Sequence, residues 1–356
     1  AEIGICVVII AVVLDKLSLA WANKQKNYFA NLNFYQKNKS LLFFLILTII
    51  CGIIAYFSSF YFNKGFNYLY IIPFDKGLTI SPYLDAFIDW IWETFFYYLN
   101  AFNVFLLTSV LGPMKQAYLN MPVISTLFLV TGAGYIIGGI RSAIVVFSLI
   151  LFIALSEYWD RALITLYMAT FAVGVSAFFG IVIGTLCAQR DFSTRSILSI
   201  CDFFQTFPSF IYLIPVILLF GITDTSVMIA AIVYASVPAT RYTVEGLKSV
   251  PMSLHDAGSM SGVSKFQRWT NIELPLAFPH IMLGINQTVI FALFMIVLGA
   301  LIGTEDLGQI IMGCLSRPNG AGIGLTLGIF ISFICLAVDN LIRTWADERK
   351  KMLGIE

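Results

Sequence analysis

Residues 255–275, HDAGSMSGVSKFQRWTNIELP, are the stretch of this chain best equipped to grip another protein. They set one carboxylate, Asp256, beside the small residues Ala257 and Gly258. Gly262 comes next, then Lys265 and Arg268, and the segment closes on Ile272, Leu274 and Pro275. Small side chains let a helix dock closely into a groove, and one carboxylate gives the contact a charged point. Pro251 can open a short helix and glycine can end one. The spacing predicts a helix from about Ser253 to Met260, broken at Gly262, with Pro275 separating it from the next apolar run. The bland alternative is a polar linker with turn residues.

A second group of polar side chains is embedded in apolar sequence. Gln205, Thr206 and Ser209 surround Pro208, with Tyr212 and Pro215 beyond, and Asn286, Gln287 and Thr288 form a run of three. A polar group in hydrocarbon needs a partner or a watery cavity. Broken helices with such residues line pathways in transporters; equally, Asn and Gln bond helices to one another. Both readings stand for these seven residues. Asp202 and Asp339 are the acids nearest the interiors of the apolar runs, and Arg343 four residues after Asp339 favours a local ion pair. GIVIG, 180–184, is a small-xxx-small pattern for close helix packing.

Some chemistry is excluded. No phosphate-binding GxxxxGK[ST] motif and no nucleophile–base constellation appears, so no catalytic residue is assigned, no cofactor is expected, and energy must come from a partner. His255 and His280 are too isolated for a metal site. The six cysteines include no CxxC pair and read as small buried hydrophobes. A net charge of +1 suggests no nucleic-acid partner.

Hydrophobic residues make up 59% of the chain and charged residues 12%, against about 25% charged in a soluble domain. The fold class is therefore all-α and polytopic, its apolar runs long enough to cross the bilayer. Nine spans are expected: 3–22, 41–62, 122–139, 142–156, 163–188, 197–220, 223–240, 277–303 and 321–343. Basic residues concentrate in 23–40, 189–196, 241–276 and the tail 344–356. Nine alternating spans put all four segments on one side, the cytoplasm, with the N-terminus outside and the C-terminus inside. Segment 63–121 reads as too polar to span. Its mixture of acids with Trp90, Trp92, Phe95, Phe96, Tyr97 and Tyr98 suits a helix lying at the headgroups rather than a substrate-binding aromatic box.

GICVVIIAVVLDKLSLAWANKQK, from Gly4, aligns without a gap on GIFISFICLAVDNLIRTWADERK, from Gly328, matching Asp15 to Asp339 and Trp21 to Trp345. The expectation is that 1–22 is the last helix of a preceding, related unit, joined to a cytoplasmic linker and span in 23–62.

The spacing from Asp256 through Ala257, Gly258, Gly262, Ile272 and Leu274 to Pro275 resembles the EAA loop of ATP-binding-cassette importer permeases. Asp stands for Glu and Gly258 for the second Ala. The Asp is one methylene shorter than Glu, which leaves its contact geometry open. The sequences DFFQTFPSFIYLIPVILLFGI, GINQT and LGQ are similar to the glycine betaine/proline branch of that family. The resemblance runs from about Tyr83 to Leu353 and is strongest in 197–315. It implies a type I, MetI-like permease core in 122–343, with a coupling loop in 241–276 and an amphipathic scaffold segment at 83–117. It further implies a second permease unit, cytoplasmic ATPase subunits, an extracytoplasmic substrate-binding protein and a bacterial inner-membrane location. Glycine betaine is the first expected substrate; proline betaine, proline and choline are also in the branch's range. A quaternary ammonium is held by aromatic faces, but no cage is assignable from the sequence. The rival class is an ion-coupled secondary transporter or channel for a small zwitterion. It requires an acid on the pathway, for which only Asp202 is a candidate.

Overall fold

The computed structural model describes residues 39–61 and 81–354, with isolated positions between 10 and 20. Every element among the described residues is helical. The chain divides into two units, Ala1–Asp85 and Ala86–Glu356. In the first, α1 (Lys39–Tyr61) carries the apolar stretch Leu41–Ile54. Cys51 is exposed there, against the expectation of burial, whereas Cys201 and Cys314 are buried. The expected span 3–22, and with it the repeat, lies largely outside the described residues, as does linker 23–40.

Helix α2 (Ser81–Phe105) passes through a π-helical turn, Leu106–Leu111, into α3 (Gly112–Leu119). Next come α4 (Val123–Ala154), α5 (Trp159–Ala188), α6 (Asp191–Thr206), a 3-10 turn at Ser209–Tyr212, α7 (Leu213–Phe220), α8 (Asp224–Lys248) and α9 (Met252–Met260). The chain ends with α10 (Lys265–Arg268), a π-helical turn at Trp269–Glu273, α11 (Leu274–Gly299), α12 (Leu307–Leu315) and α13 (Ala321–Leu353). Six runs among the described residues are long and apolar enough to cross a membrane, or seven if the bent α6–α7 pair is one span. The count of nine is not reproduced.

The expected span 3–22 lies largely outside the described residues, and 41–62 carries only the shorter apolar stretch Leu41–Ile54; three further elements bear on the count. The expected spans 122–139 and 142–156 are one helical run that doubles back at Gly138–Gly139, where Gly139 has φ 65° and ψ −162°. Only glycine enters that region readily. A Cβ on Gly134 would lie 3.2 Å from the Cα of Ala143, and Thr126 and Ile150 line one small cavity, so the two limbs run antiparallel. Each is about 16 residues, or about 24 Å. The second difference is Ser81–Leu119, which passes the length and apolarity test for a span despite its acids. The third is 197–220, which bends by 105° between Thr206 and Ser209. Pro208 has no N–H to continue the ladder there.

Side-chain pairings fix the directions of the other helices. On α5 and α8, Tyr167 meets Asp224, Ser176 meets Ile232, Gly180 meets Ala239 and Gly184 meets Thr243. The two helices are therefore parallel, and residues 189–223 must carry the chain back between them; the broken span does cross. On α8 and α11 the order is reversed: Gly246 meets His280, and Gly284 meets Tyr242. On α11 and α13, Asn286 meets Asp339 and Phe278 meets Trp345. Helix α8 thus lies between α5 and α11, pressed close by glycines. A Cβ on Gly184, Gly246 or Gly284 would each come within 2.7 Å of a neighbouring side chain, and one on Gly180 would clash with Ala239. Close approach matters because lipid is as apolar as leucine, so association rests on packing rather than on water release. Buried hydroxyls return to helix carbonyls, as Thr243 does to Ala239 at 2.7 Å, or cross between helices, as Ser176 does to Ile232 at 3.1 Å.

These directions sort the loops to two ends of the bundle. One end holds 189–195, 248–273, the end of α13 and the tip of the α4 hairpin, where Gly138 meets Thr344 and Ser142 bonds Asn340. The other holds 155–161, 221–224 and 303–320. The basic residues of 189–196, 241–276 and the tail share an end, as the parity argument required.

Candidate functional site

Helix α9 forms where the spacing placed it, one residue longer at its start. Gly262 ends it with φ 73°, the left-handed geometry glycine supplies at a helix terminus. The Ser261 N–H and hydroxyl both donate to the Ala257 carbonyl, at 3.0 and 2.9 Å. Ser264 then opens α10 with a capping box: the Gln267 N–H donates to its hydroxyl at 3.2 Å, and its own N–H donates to the Gln267 side chain at 2.9 Å. The chain continues without a break into α11, with Leu274 and Pro275 in the first turn.

The long-range spacing acquires a physical meaning. Gly258 is buried, and a Cβ there would meet the Ile272 side-chain tip at 3.0 Å, with Val263 and Arg268 next. Gly258 and Ile272 are therefore two sides of one contact that folds α9 against the start of the span. Arg268 holds Glu273 at 2.9 Å across the π-helical turn. Asp256 and Ala257 stay exposed, and so do Met260 at 89% and Phe266 at 71%. An exposed carboxylate, small residues and large apolar side chains on one braced hairpin form a surface suited to another protein.

The pathway candidates do not form one group. The Gln205 side-chain oxygen accepts from Arg241 at 3.1 Å. Arg241 also pairs with Asp202 at 2.7 Å and Glu245 at 2.9 Å, tying the end of α6 to α8. The Thr206 and Thr288 hydroxyls return to Phe203 and Gly284. Tyr212 is buried and donates to the Phe204 carbonyl at 2.5 Å, which the helix break leaves open. Ser209 begins the 3-10 turn. Asn286 donates to Asp339 at 2.5 Å, and Arg343 donates to the same carboxylate at 2.7 Å; the expected Asp339–Arg343 pair is present and extends across to α11. Gln287 is half-buried with no hydrogen-bond partner among the described residues. Arg241, Tyr234 and Phe291 were not singled out by sequence reasoning. A lone Arg in a loop-proximal helix and aromatics amid many others give no local signal.

The opposite end is tied by charge. Lys115 on α3 lies 3.2 Å from Glu305 and 3.9 Å from Asp224, and the Tyr167 hydroxyl donates to Asp224 at 3.1 Å. Arg161 donates to the Glu305 carbonyl at 2.7 Å. Asp306 caps α12 by accepting from the Gln309 N–H at 3.1 Å; burial pushes its carboxyl up to about 7. Asn103 donates to the Phe220 carbonyl at 3.2 Å, beside a cleft of about 380 Å³ lined by Trp92, Phe96 and Gly221. From Asn103 to Lys115 the chain thus passes the same-end termini of α7 and α8.

The described residues thus form an all-helical membrane bundle with a broken span, close-packed small residues and a braced polar hairpin at one end. The model of the binding-protein-dependent transport system inner membrane components matches residues 180–350, and the chain belongs to that family. It is 30% identical over 275 residues to the glycine betaine transport system permease protein OpuAB of Bacillus subtilis (strain 168), covering 77% of this chain and 96% of that one. It is 59% identical over 354 residues to the trimethylamine N-oxide transport system permease protein TmoV of Pelagibacter ubique (strain HTCC1062), covering 99% of this chain and 49% of that one. The chain spans about half the length of that relative. Among solved structures, the methionine ABC transporter MetNI in an inward-facing conformation matches with TM-score 0.43 and 24% identity, covering 53% of this chain and 98% of that one. The chain is thus a multi-pass membrane protein of the binding-protein-dependent transport system inner membrane component family.

Proposed function

We propose that this chain is the transmembrane permease of an ABC importer for small methylated ammonium solutes, with trimethylamine N-oxide first and glycine betaine second. The observation that carries the coupling role is the braced hairpin: Gly258 packed on Ile272, Gly262 in the left-handed region, and Asp256 and Ala257 outside. A cytoplasmic ATPase subunit, which binds the ATP, docks on that surface. Its closure is passed through the π-helical turn into α11 with little slack. α11 is packed on α8 and bonded to α13, so a push at Leu274 moves the central helices. An extracytoplasmic binding protein delivers substrate to the opposite end. The N-terminus lies outside and the C-terminus in the cytoplasm, which the shared end of the basic loops supports. The contacts of Asn103 and Lys115 favour a scaffold segment lying along the outer face. Against the ion-coupled alternative, Asp202 is bound by Arg241.

The test is uptake of labelled trimethylamine N-oxide and glycine betaine into liposomes holding the full transporter. Uptake needing ATP, the ATPase and the binding protein is expected. Uptake driven by an ion gradient without ATP would favour the alternative.

A further inference from the structure

The geometry points to a transient substrate site inside the bundle, at the break between α6 and α7. Its walls are the rings of Phe204, Phe207, Tyr212, Tyr234 and Phe291, and it would receive a methylated ammonium group bearing an anionic oxygen. This rests on the proposed solute class. The rings come from separate elements. Phe204 and Phe207 lie 6.0 and 6.1 Å from Tyr212, which lies 5.3 Å from Tyr234, which stacks on Phe291 at 4.8 Å. Tyr234 sits near the middle of α8, about 15 Å along from its start, so the cluster is deep in the bundle rather than at a headgroup belt.

Packing alone explains the rings but not the polar groups among them. The Tyr212 hydroxyl is satisfied by the Phe204 carbonyl. The Tyr234 hydroxyl has no hydrogen-bond partner among the described residues, yet it is not sealed as a buried unpartnered atom, and the residue is half-buried. The Gln205 amide accepts from Arg241 through its oxygen, which leaves its N–H groups to donate. Hydroxyl and amide donors without partners at mid-span are costly unless water or a solute reaches them. Aromatic faces attract a cation whose charge is spread over methyl groups, and adjacent N–H and O–H donors attract its oxygen. A site that pairs the two fits a zwitterion or N-oxide better than a simple cation or a neutral amide. It lies at the proline break, where the span bends by 105° and where we infer that it opens as the central helices move.

Phe207→Leu and Tyr234→Leu keep apolar volume and remove a ring; Tyr234→Phe keeps the ring. Each is reconstituted with ATPase and binding protein, with co-purification of the ATPase certifying assembly, and uptake of labelled trimethylamine N-oxide is read per ATP hydrolysed. Expected is a loss of about tenfold for each Leu variant that assembles, with Tyr234→Phe recovering more than half of the loss on a logarithmic scale. As a reading that does not need transport, saturation-transfer NMR with trimethylamine N-oxide on the purified permease gives a signal for the unmodified chain that Phe207→Leu removes. Uptake per ATP unchanged in both Leu variants, or an undiminished NMR signal, overturns the site while leaving the permease reading intact. If the unmodified transporter imports no methylated ammonium solute at all, the solute class itself fails and the site fails with it.

Discussion

Replacing Gly262 by alanine isolates the backbone of the hairpin from its packing. The residue sits at φ 73°, and a Cβ built there meets nothing within 4 Å. No clash is created, so the whole effect is the cost of holding an L-residue in the left-handed region, roughly 1–2 kcal/mol. That corresponds to about a 5- to 30-fold shift against the conformation that ends α9 and turns the chain into α10. Asparagine enters the same region more easily, so Gly262→Asn should cost much less. In reconstituted vesicles, solute imported per ATP hydrolysed should fall at least about fivefold for Gly262→Ala and less than about twofold for Gly262→Asn. Protein in the membrane should stay near normal for both. Gly246→Leu behaves oppositely, because a Cβ there already lies 2.7 Å from His280; it should reduce the amount of folded protein. Equal coupling in Gly262→Ala and the unmodified chain would refute the reasoning.

Other outcomes rest on the same contacts. Gly258→Val should weaken ATPase binding, measured by co-purification, more than Gly258→Ala, because the alanine asks only a small shift of the Ile272 tip. Gly184→Leu should lower the melting temperature of the purified protein by forcing α5 from Thr243 and the Thr240 carbonyl. Arg241→Met leaves Asp202 and Glu245 without their cation. It should accelerate hydrogen exchange in α6 while sparing α11. Asp306 is held up at about 7 by burial, above its unfolded value near 4. The folded state therefore binds the extra proton between about pH 4 and 7, stability falls as pH rises through that window, and it levels off above it. Asp306→Asn, which can still cap α12, should flatten that part of the melting profile.

What the sequence revealed and what it hid divide along physical lines. The hairpin was legible because its determinants are local: a proline to open, a glycine to stop and small residues between, all within about twenty positions. The role of Gly258 was only half visible, since its reason is a contact with Ile272 that becomes apparent when the chain is folded. GIVIG announced a close helix contact, but not that its partner is α8. The α4 hairpin was legible as two apolar runs, 122–139 and 142–156, and the glycine backbone at 138–139 shows how the two limbs turn. Segment 81–119 reads two ways in sequence, because its acids argue against a span while its length and aromatics meet the apolarity of one. The aromatic cluster is assembled from α6, the 3-10 turn, α8 and α11, so no window of sequence contains it. Arg241 likewise gains meaning from Asp202, 39 residues away in the chain.

The central claim is that the hairpin end of the bundle is where an ATPase engages. A photo-crosslinking amino acid at position 257, exposed on α9, tests it directly, with the same residue at position 317, exposed at the opposite end, as its counterpart. In the intact transporter, position 257 should capture the ATPase subunit, with a yield that changes on adding ATP, and position 317 should not. Capture of the ATPase from 317 and none from 257 would contradict the account at its root.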